Sequence, residues 1–385
     1  MLPTNAPLRV AMSTVALLSH HAGLANYIRN LAHALVETGQ VRFRYFYGLR
    51  WSDDLRARPA QLFASSSSAA RRWLPAAWEL SRAVQGLAFA REARAGAFDL
   101  YHEPAYLLHG ERLPAIVTVH DLSFIHYPET HPAGRVRILE RRLPRSLSAA
   151  RKVLTDSESV REEVIRHFGV PAAKVHAVPL GVASRFKPRA ATELQLVLDR
   201  YRLQSSGYVL SVGTLEPRKN LVRVLQAYAS LSAALRARYP LVIVGASGWH
   251  EGPIVAKLDP LVRRGEVRFL GYVDDKTLSC LYSGARAAAY VSLYEGFGLP
   301  IAEAMASGAP VLTSNVGCMR ELAEGAALLV DPSADDAIAG GLARLLSADD
   351  ECARLRAAGL ERVRALTWAD CARRTIEIYR LALAG

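Results

Sequence analysis

Cysteine is scarce and late in this chain: of 385 residues four are Cys, at 280, 318, 352 and 371, and none lies in the first 279. No two form a CxxC pair, which argues against a disulfide framework or a zinc ribbon and fits a reduced compartment. There is no Asp-x-Asp pair and no His/Cys cluster at metal-ligand spacing, so a site here is expected to rely on side-chain cations and helix dipoles, with no metal. Long apolar runs are missing too. Val10 to Leu18 is too short to span a bilayer and runs into His20-His21-Ala22-Gly23 without a small-residue cleavage site, so it reads as a first buried strand. No nucleic-acid recognition module is seen, nor a groove pattern of interleaved aromatic and basic residues, which excludes nucleic acid as the expected partner.

What is present is the make-up of a globular protein, 51% hydrophobic and 22% charged, in a chain long enough for two domains. The net charge of +12 is uneven: residues 1–189 hold 26 Lys+Arg against 15 Asp+Glu, and residues 190–385 hold 22 against 21. Most of the excess lies in Arg71 to Arg94 and Arg135 to Arg151, where arginines alternate with Trp, Leu and Ile. Such stretches fit either an anionic membrane surface or solvated helix faces.

Strand and helix patterns alternate along the chain. Leu8–Met12, Val41–Tyr47, Phe98–His102, Pro114–His120, Arg151–Thr155 and the end of Val170–Pro179 read as strands in the first half. Leu24 to Val36 has helical spacing after a glycine-bearing loop at Gly23 that could hold phosphate. Ser159 with Glu162 reads as a capping box, residues 52–70 as a mobile surface segment, and Gly181 to about Gln204 as a linker. The second half predicts strands at Tyr208–Gly213, Leu241–Gly245, Val267–Leu270, Ala287–Ser292, Val311–Thr313 and Ala327–Val330, which argues for a doubly wound parallel sheet.

The stretch Tyr294-Glu295-Gly296-Phe297-Gly298-Leu299-Pro300-Ile301-Ala302-Glu303 concentrates the chemistry. Two carboxylates stand eight positions apart across a glycine-rich turn, with Pro300 where a helix begins and Glu303 inside that helix. Glu295 is expected to end the preceding strand. A loop-to-helix junction favours an anionic ligand. Upstream, Arg218 and Lys219 follow the strand Val209–Gly213 and could neutralise a diphosphate from one side; as an isolated pair they fit a basic surface equally well. His120, at the carboxyl end of its strand, would lie where ligands bind in an open α/β sheet. His20, His21 and His102 fit acceptor-side or core roles alike.

Taken together, Gly213-Thr214-Leu215-Glu216-Pro217-Arg218-Lys219-Asn220-Leu221, Gly271-Tyr272-Val273-Asp274-Asp275, Glu295 to Pro300 with Glu303, and Leu328-Leu329-Val330-Asp331-Pro332 resemble, in order and spacing, the retaining nucleotide-sugar glycosyltransferases of family 4. Val119-His120-Asp121-Leu122-Ser123-Phe124 and Pro128-Glu129 look like the branch that includes bacterial mannosyltransferases of polysaccharide and O-antigen assembly. The resemblance implies an α/β GT-B fold: two Rossmann-like doubly wound parallel-sheet domains facing across a cleft, with a C-terminal crossover helix. The acceptor domain would span 1–189, with 368–385 packing back on it, and the donor domain 190–367.

By the same resemblance Glu303 binds the donor ribose, Arg218 and Lys219 the diphosphate, and Glu295 lies beside the transferred sugar. Gly296, Phe297, Gly298 and Leu299 line the donor loop, Val273 lies near the nucleobase, and His120 supports the charge developing on the sugar through its backbone carbonyl. Ala22-Gly23 stands where many relatives have paired glycines. The implied reaction moves a sugar, with GDP-mannose the preferred donor and a UDP-sugar the alternative, to a glycan or lipid-linked acceptor without a metal or cofactor. It would take place in the cytoplasm, with peripheral contact to anionic membrane. A rival from another class is a non-catalytic, nucleotide-regulated protein that binds membrane or nucleic acid.

Overall fold

The computed structural model describes residues 6–18, 22–55, 75–96, 98–246 and 251–384, and the chain divides into two compact units, residues 1–181 with 368–385 and residues 182–367. The division falls at Gly181, at the start of the stretch read as a linker. That stretch is not a linker throughout: Ala191–Arg200 is a helix that buries Leu194 and Leu198, one turn apart, and packs within the second unit.

In the first unit the strands are β1 (Leu8–Ser13), β2 (Val41–Phe46), β3 (Trp51–Ser52), β4 (Leu100–Glu103), β5 (Ala115–Val119), β6 (Lys152–Thr155) and β7 (Val175–Ala177), in the order β3-β2-β1-β4-β5-β6-β7. All pairs are parallel except β2 with β3, a two-residue edge strand that sequence periodicity is too short to reveal. The Val10–Leu18 run divides, because β1 ends at Ser13 and Val15–Leu18 forms a 3-10 turn. Every residue of β5 is buried, as a central parallel strand covered on both faces requires. Val117 and Val119 are fully enclosed, each contributing about 1.5–3 kcal/mol of burial.

The helices of this unit are α1 (Ala22–Glu37), α2 (Pro75–Ala95), α3 (Ser123–His126), α4 (Ala133–Ala149) and α5 (Glu158–Phe168). Helix α1 begins at Ala22, so Gly23 lies in its first turn and not in the loop before it. The cap of α5 is Ser157, whose hydroxyl accepts the Val160 N–H at 3.3 Å, in place of the Ser159 box that the spacing suggested. The C-terminal helix, Trp368–Ala384, packs on α1 and buries Cys371, Ile376 and Tyr379. The segment expected to be mobile lies outside the described residues from 56 to 70, as do His20 and His21.

The second unit carries β8 (Val209–Val212), β9 (Leu241–Val244), β10 (Val267–Phe269), β11 (Ala287–Tyr290), β12 (Val311–Ser314) and β13 (Leu328–Val330), ordered β10-β9-β8-β11-β12-β13 and parallel throughout. Its helices after Ala191–Arg200, which is α6, are α7 (Leu221–Ser230), α8 (Ala233–Arg238), α9 (Gly252–Arg263), α10 (Asp275–Gly284), α11 (Leu299–Ala306), α12 (Gly317–Ala323), α13 (Asp335–Ser347) and α14 (Asp349–Val363). Strand order reverses between β8 and β11. In an open α/β sheet that reversal leaves a crevice where the two following loops part, and ligands bind there. The segments that follow β8 and β11 are those holding Arg218-Lys219 and Glu295.

Candidate active site

At this switch point the loop after β8 is shaped by close backbone approach. A Cβ on Gly245, at the end of β9, would lie 1.9 Å from the Gly213 carbonyl oxygen, so the loop can leave β8 only over a glycine. Pro217–Lys219 form one 3-10 turn that ends at Asn220 in the left-handed region, φ 59°. The Asn220 amide donates to the carbonyls of Val291 (3.0 Å) and Pro332 (2.8 Å), tying the turn to the loops after β11 and β13. A second tie runs from the Leu293 N–H to the Arg218 carbonyl at 2.9 Å.

These ties bring Arg218 and Lys219 onto Glu295, some 76 positions away. Lys219 Nζ donates to Glu295 Oε1 at 2.7 Å, and Arg218 Nη1 lies 3.1 Å from Glu295 Oε2. Arg218 also reaches Glu216 Oε1 at 2.8 Å and the Tyr294 carbonyl at 2.6 Å. Tyr290, the last residue of β11, closes the cluster: its hydroxyl accepts from Lys219 Nζ at 2.7 Å and donates to Glu295 Oε1 at 2.9 Å. Glu216 and Tyr290 were not singled out from the sequence. The signal for Tyr290 was a lone polar residue ending an otherwise Ala-only strand.

Glu295 does not end the strand; β11 stops at Tyr290 and the carboxylate sits in the loop beyond. Its side chain is only 9% exposed. Burial alone would push its pKa up, but Arg218 and Lys219 outweigh burial and hold it at about 2. Glu303, in the second turn of α11, is treated oppositely. Burial dominates there and Asp275 adds repulsion, against weaker help from Arg185 and the Tyr282 hydroxyl, so its carboxyl is raised to about 8. Two carboxyls eight positions apart are thus a carboxylate and a carboxylic acid at neutral pH, a separation that assigns them different chemistry.

The other donor-loop residues follow the same frame. Gly296 and Phe297 are buried, Gly298 caps α11 with φ 95°, and Leu299 and Pro300 open the helix. Positive φ at Gly298 is a conformation that side chains resist, so the sharp entry into α11 requires glycine. Val273, 9% exposed, precedes the Asp274 cap of α10, the helix that carries Asp275 and Tyr282 beside Glu303.

In the first unit His120 follows β5 directly. Its Nδ1 donates to Asp156 Oδ2 and its Nε2 to the Pro104 carbonyl, both at 2.7 Å, while Tyr27 and Tyr106 present ring edges or faces to it at 4.7 and 5.9 Å. An acceptor at each nitrogen favours the protonated ring, although burial raises the Asp156 carboxyl as well. Burial opposes that charge, but Asp156 and the Pro104 carbonyl outweigh it and raise the pKa. His102 is a core histidine, bonded to Tyr379 and Thr118 at 2.8 and 2.9 Å and lowered by burial to about 3. Gly23 is exposed, and a Cβ there would meet nothing within 4 Å. Among the described residues no group of three or more His, Cys, Asp or Glu could hold a metal ion, and no helix is long and apolar enough to cross a membrane.

Two doubly wound parallel-sheet units, with a cation–carboxylate cluster at the switch point of the second, define a glycosyltransferase of GT-B fold. Residues 202–362 match the family model described as glycosyl transferases group 1, and residues 21–185 that of glycosyltransferase family 4. Over 282 residues the chain is 40% identical to the O-antigen chain mannosyltransferase B of Escherichia coli, covering 73% of this chain and 74% of that protein. It is 30% identical over 226 residues to the serotype-specific mannosyltransferase WbdA of Escherichia coli, covering 57% of this chain but 28% of that one. The solved structure of sucrose-phosphate synthase from Thermosynechococcus elongatus shares the fold, with a TM-score of 0.75 at 22% identity over 98% of this chain and 99% of its own. The chain belongs to glycosyltransferase family 4.

Proposed function

We propose that this enzyme transfers mannose from GDP-mannose, with retention of configuration and without a metal, to a glycan or lipid-linked acceptor in surface polysaccharide assembly. The observation that carries this reading is the Arg218–Lys219–Glu295 cluster at the switch point, in a chain similar to O-antigen mannosyltransferases. Breaking the sugar–phosphate bond makes the diphosphate more negative and the anomeric carbon more positive, so cations belong at the first and electron-rich groups at the second. Lys219 spends two of its three N–H donors on Tyr290 and Glu295, leaving one for a phosphate oxygen. Glu295, held ionised, takes the sugar side, and Glu303 takes the ribose.

In a front-face reaction the acceptor hydroxyl oxygen bonds to the anomeric carbon as the bond to the diphosphate breaks. The departing phosphate oxygen accepts the hydroxyl proton, so no protein base is required, and paired-carboxylate glycosidase logic does not apply. Turnover of GDP- and UDP-sugars, with and without a chelator, tests the reading. GDP-mannose is expected to be used fastest and the chelator to change nothing; faster use of UDP-glucose or UDP-galactose would replace the donor, and loss of activity on chelation would replace the metal-free chemistry.

The same reading includes docking on anionic membrane through the first unit. On α2, Leu80, Val84 and Leu87 follow one helical face and are 68%, 45% and 73% exposed, and exposed Arg91 and Arg94 continue that face. Exposed Arg137 and Arg141 on α4 add positive charge of the sign that anionic lipid attracts. Vesicle co-sedimentation tests it: binding is expected to need anionic lipid and to fall with salt and with Leu80→Glu, and binding indifferent to all three removes this part.

A further inference from the structure

Two large buried tyrosines of the second unit spend their hydroxyls on the backbone: Tyr208 donates to the Leu281 carbonyl at 2.6 Å, and the Tyr228 hydroxyl lies within hydrogen-bond reach of the Tyr239 and Glu266 carbonyls at 3.1 and 3.0 Å. Such bonds satisfy a polar atom and brace the fold. Tyr290 differs. It is 6% exposed, and both partners of its hydroxyl are charged groups of the candidate site, the Lys219 ammonium and the Glu295 carboxylate. Its backbone is held separately, the carbonyl accepting from Thr313 Oγ1 at 2.7 Å and the strand pairing with β12. The ring is therefore fixed by the sheet, and the hydroxyl is a rigid point between two mobile-stemmed charges.

We propose that Tyr290 is a positioning residue for sugar transfer, its hydroxyl fixing where the Lys219 ammonium and the Glu295 carboxylate point. The inference rests on the reading of this cluster as the donor site. A lysine has a flexible four-carbon stem, so the Lys219–Glu295 pair, in direct contact at 2.7 Å, could swing as a unit without a third group to anchor it. The tyrosine hydroxyl anchors the pair by engaging both members at once: it accepts one N–H of Lys219 and gives its own proton to Glu295 Oε1. That donation also favours the ionised carboxylate. The geometry closes as a triangle with edges of 2.7, 2.7 and 2.9 Å, so moving any one member moves the other two.

Tyr290→Phe removes the hydroxyl and keeps the ring. With GDP-mannose as donor, kcat is expected to fall about 10- to 100-fold, the scale of misplaced reacting groups, while KM for the donor and Kd for GDP change less than about threefold. In a Glu295→Gln background the same substitution is expected to cost less than about threefold, because the partner it orients is already neutral. Equal costs in both backgrounds, or unchanged kcat in the first, would overturn the inference. A readout independent of turnover is the carboxyl carbon resonance of Glu295 followed by NMR with pH: its midpoint should move upward in Tyr290→Phe, and an unmoved midpoint contradicts the contact. Absence of turnover with every GDP- and UDP-sugar would sink the proposed function, and the carboxyl titration would still decide the role of Tyr290.

Discussion

Replacing Glu295 by Gln tests the electrostatics of the cluster most sharply, because the amide keeps the shape of the protonated acid and removes only the charge. The carboxyl lies at about 2 in the folded protein against an ordinary value of 4.5. At about 1.36 kcal/mol per unit, the difference is worth roughly 3 kcal/mol to the folded state. Because the folded value is depressed, this stabilisation is complete above pH 4.5 and is lost as pH falls toward 2. Glu295→Gln is therefore expected to be about 3 kcal/mol less stable than the native sequence at pH 7, and the gap should close progressively below pH 4.5. Leaving Arg218 and Lys219 with one carboxylate fewer gives a cost of similar size. Chemical denaturation followed by circular dichroism at pH 7, 4.5 and 3 measures it. A gap under about 0.5 kcal/mol at pH 7, or one that does not shrink on acidification, would refute the reasoning.

Three further outcomes are expected. Glu303, raised to about 8, makes the folded state hold a proton that the unfolded chain releases near 4.5, so stability falls as pH rises across that window. Glu303→Gln should abolish that slope, a difference of a few kcal/mol between pH 5 and pH 8 in the same denaturation assay. Gly245→Ala places a methyl group 1.9 Å from the Gly213 carbonyl oxygen, and should displace the Arg218-Lys219 loop, weakening GDP binding at least tenfold by calorimetry while second-unit helix content persists. Asp156→Asn removes the acidic partner of His120 Nδ1; about 3 kcal/mol of stability should be lost, and the His120 titration seen by NMR should move to lower pH.

The strands were legible because parallel strands buried on both faces are short, unbroken apolar runs, as Leu241–Val244 and Ala115–Val119 show. Their order was legible only through the resemblance, since period and composition do not say that β8 neighbours β11. That adjacency is what places Arg218 and Lys219 on Glu295. Spacing also misled where two candidates stood close: Ser157 caps α5, whereas Ser159 lies inside its first turn. The helix at Ala191–Arg200 was missed because its buried face is narrow, Leu194 and Leu198 being the buried pair while Leu196 between them is exposed and blurs the period. Glu216 and Asp156 act through loop shape or through contacts far apart in sequence, for which no local pattern exists, and Tyr290 gave only the faint signal of a polar residue ending an Ala-only strand. The opposed states of Glu295 and Glu303 likewise depend on burial and on cations that only the folded chain assembles.

The most direct test of the account is sugar transfer from GDP-mannose by Lys219→Met beside the unsubstituted enzyme, with GDP affinity measured on both. Transfer is expected to fall at least 100-fold and GDP binding to weaken at least tenfold, because in the proposed function the ammonium that holds Glu295 also meets the diphosphate. Transfer and GDP affinity that both stay within twofold would contradict the account and move the donor site away from the β8–β11 switch point.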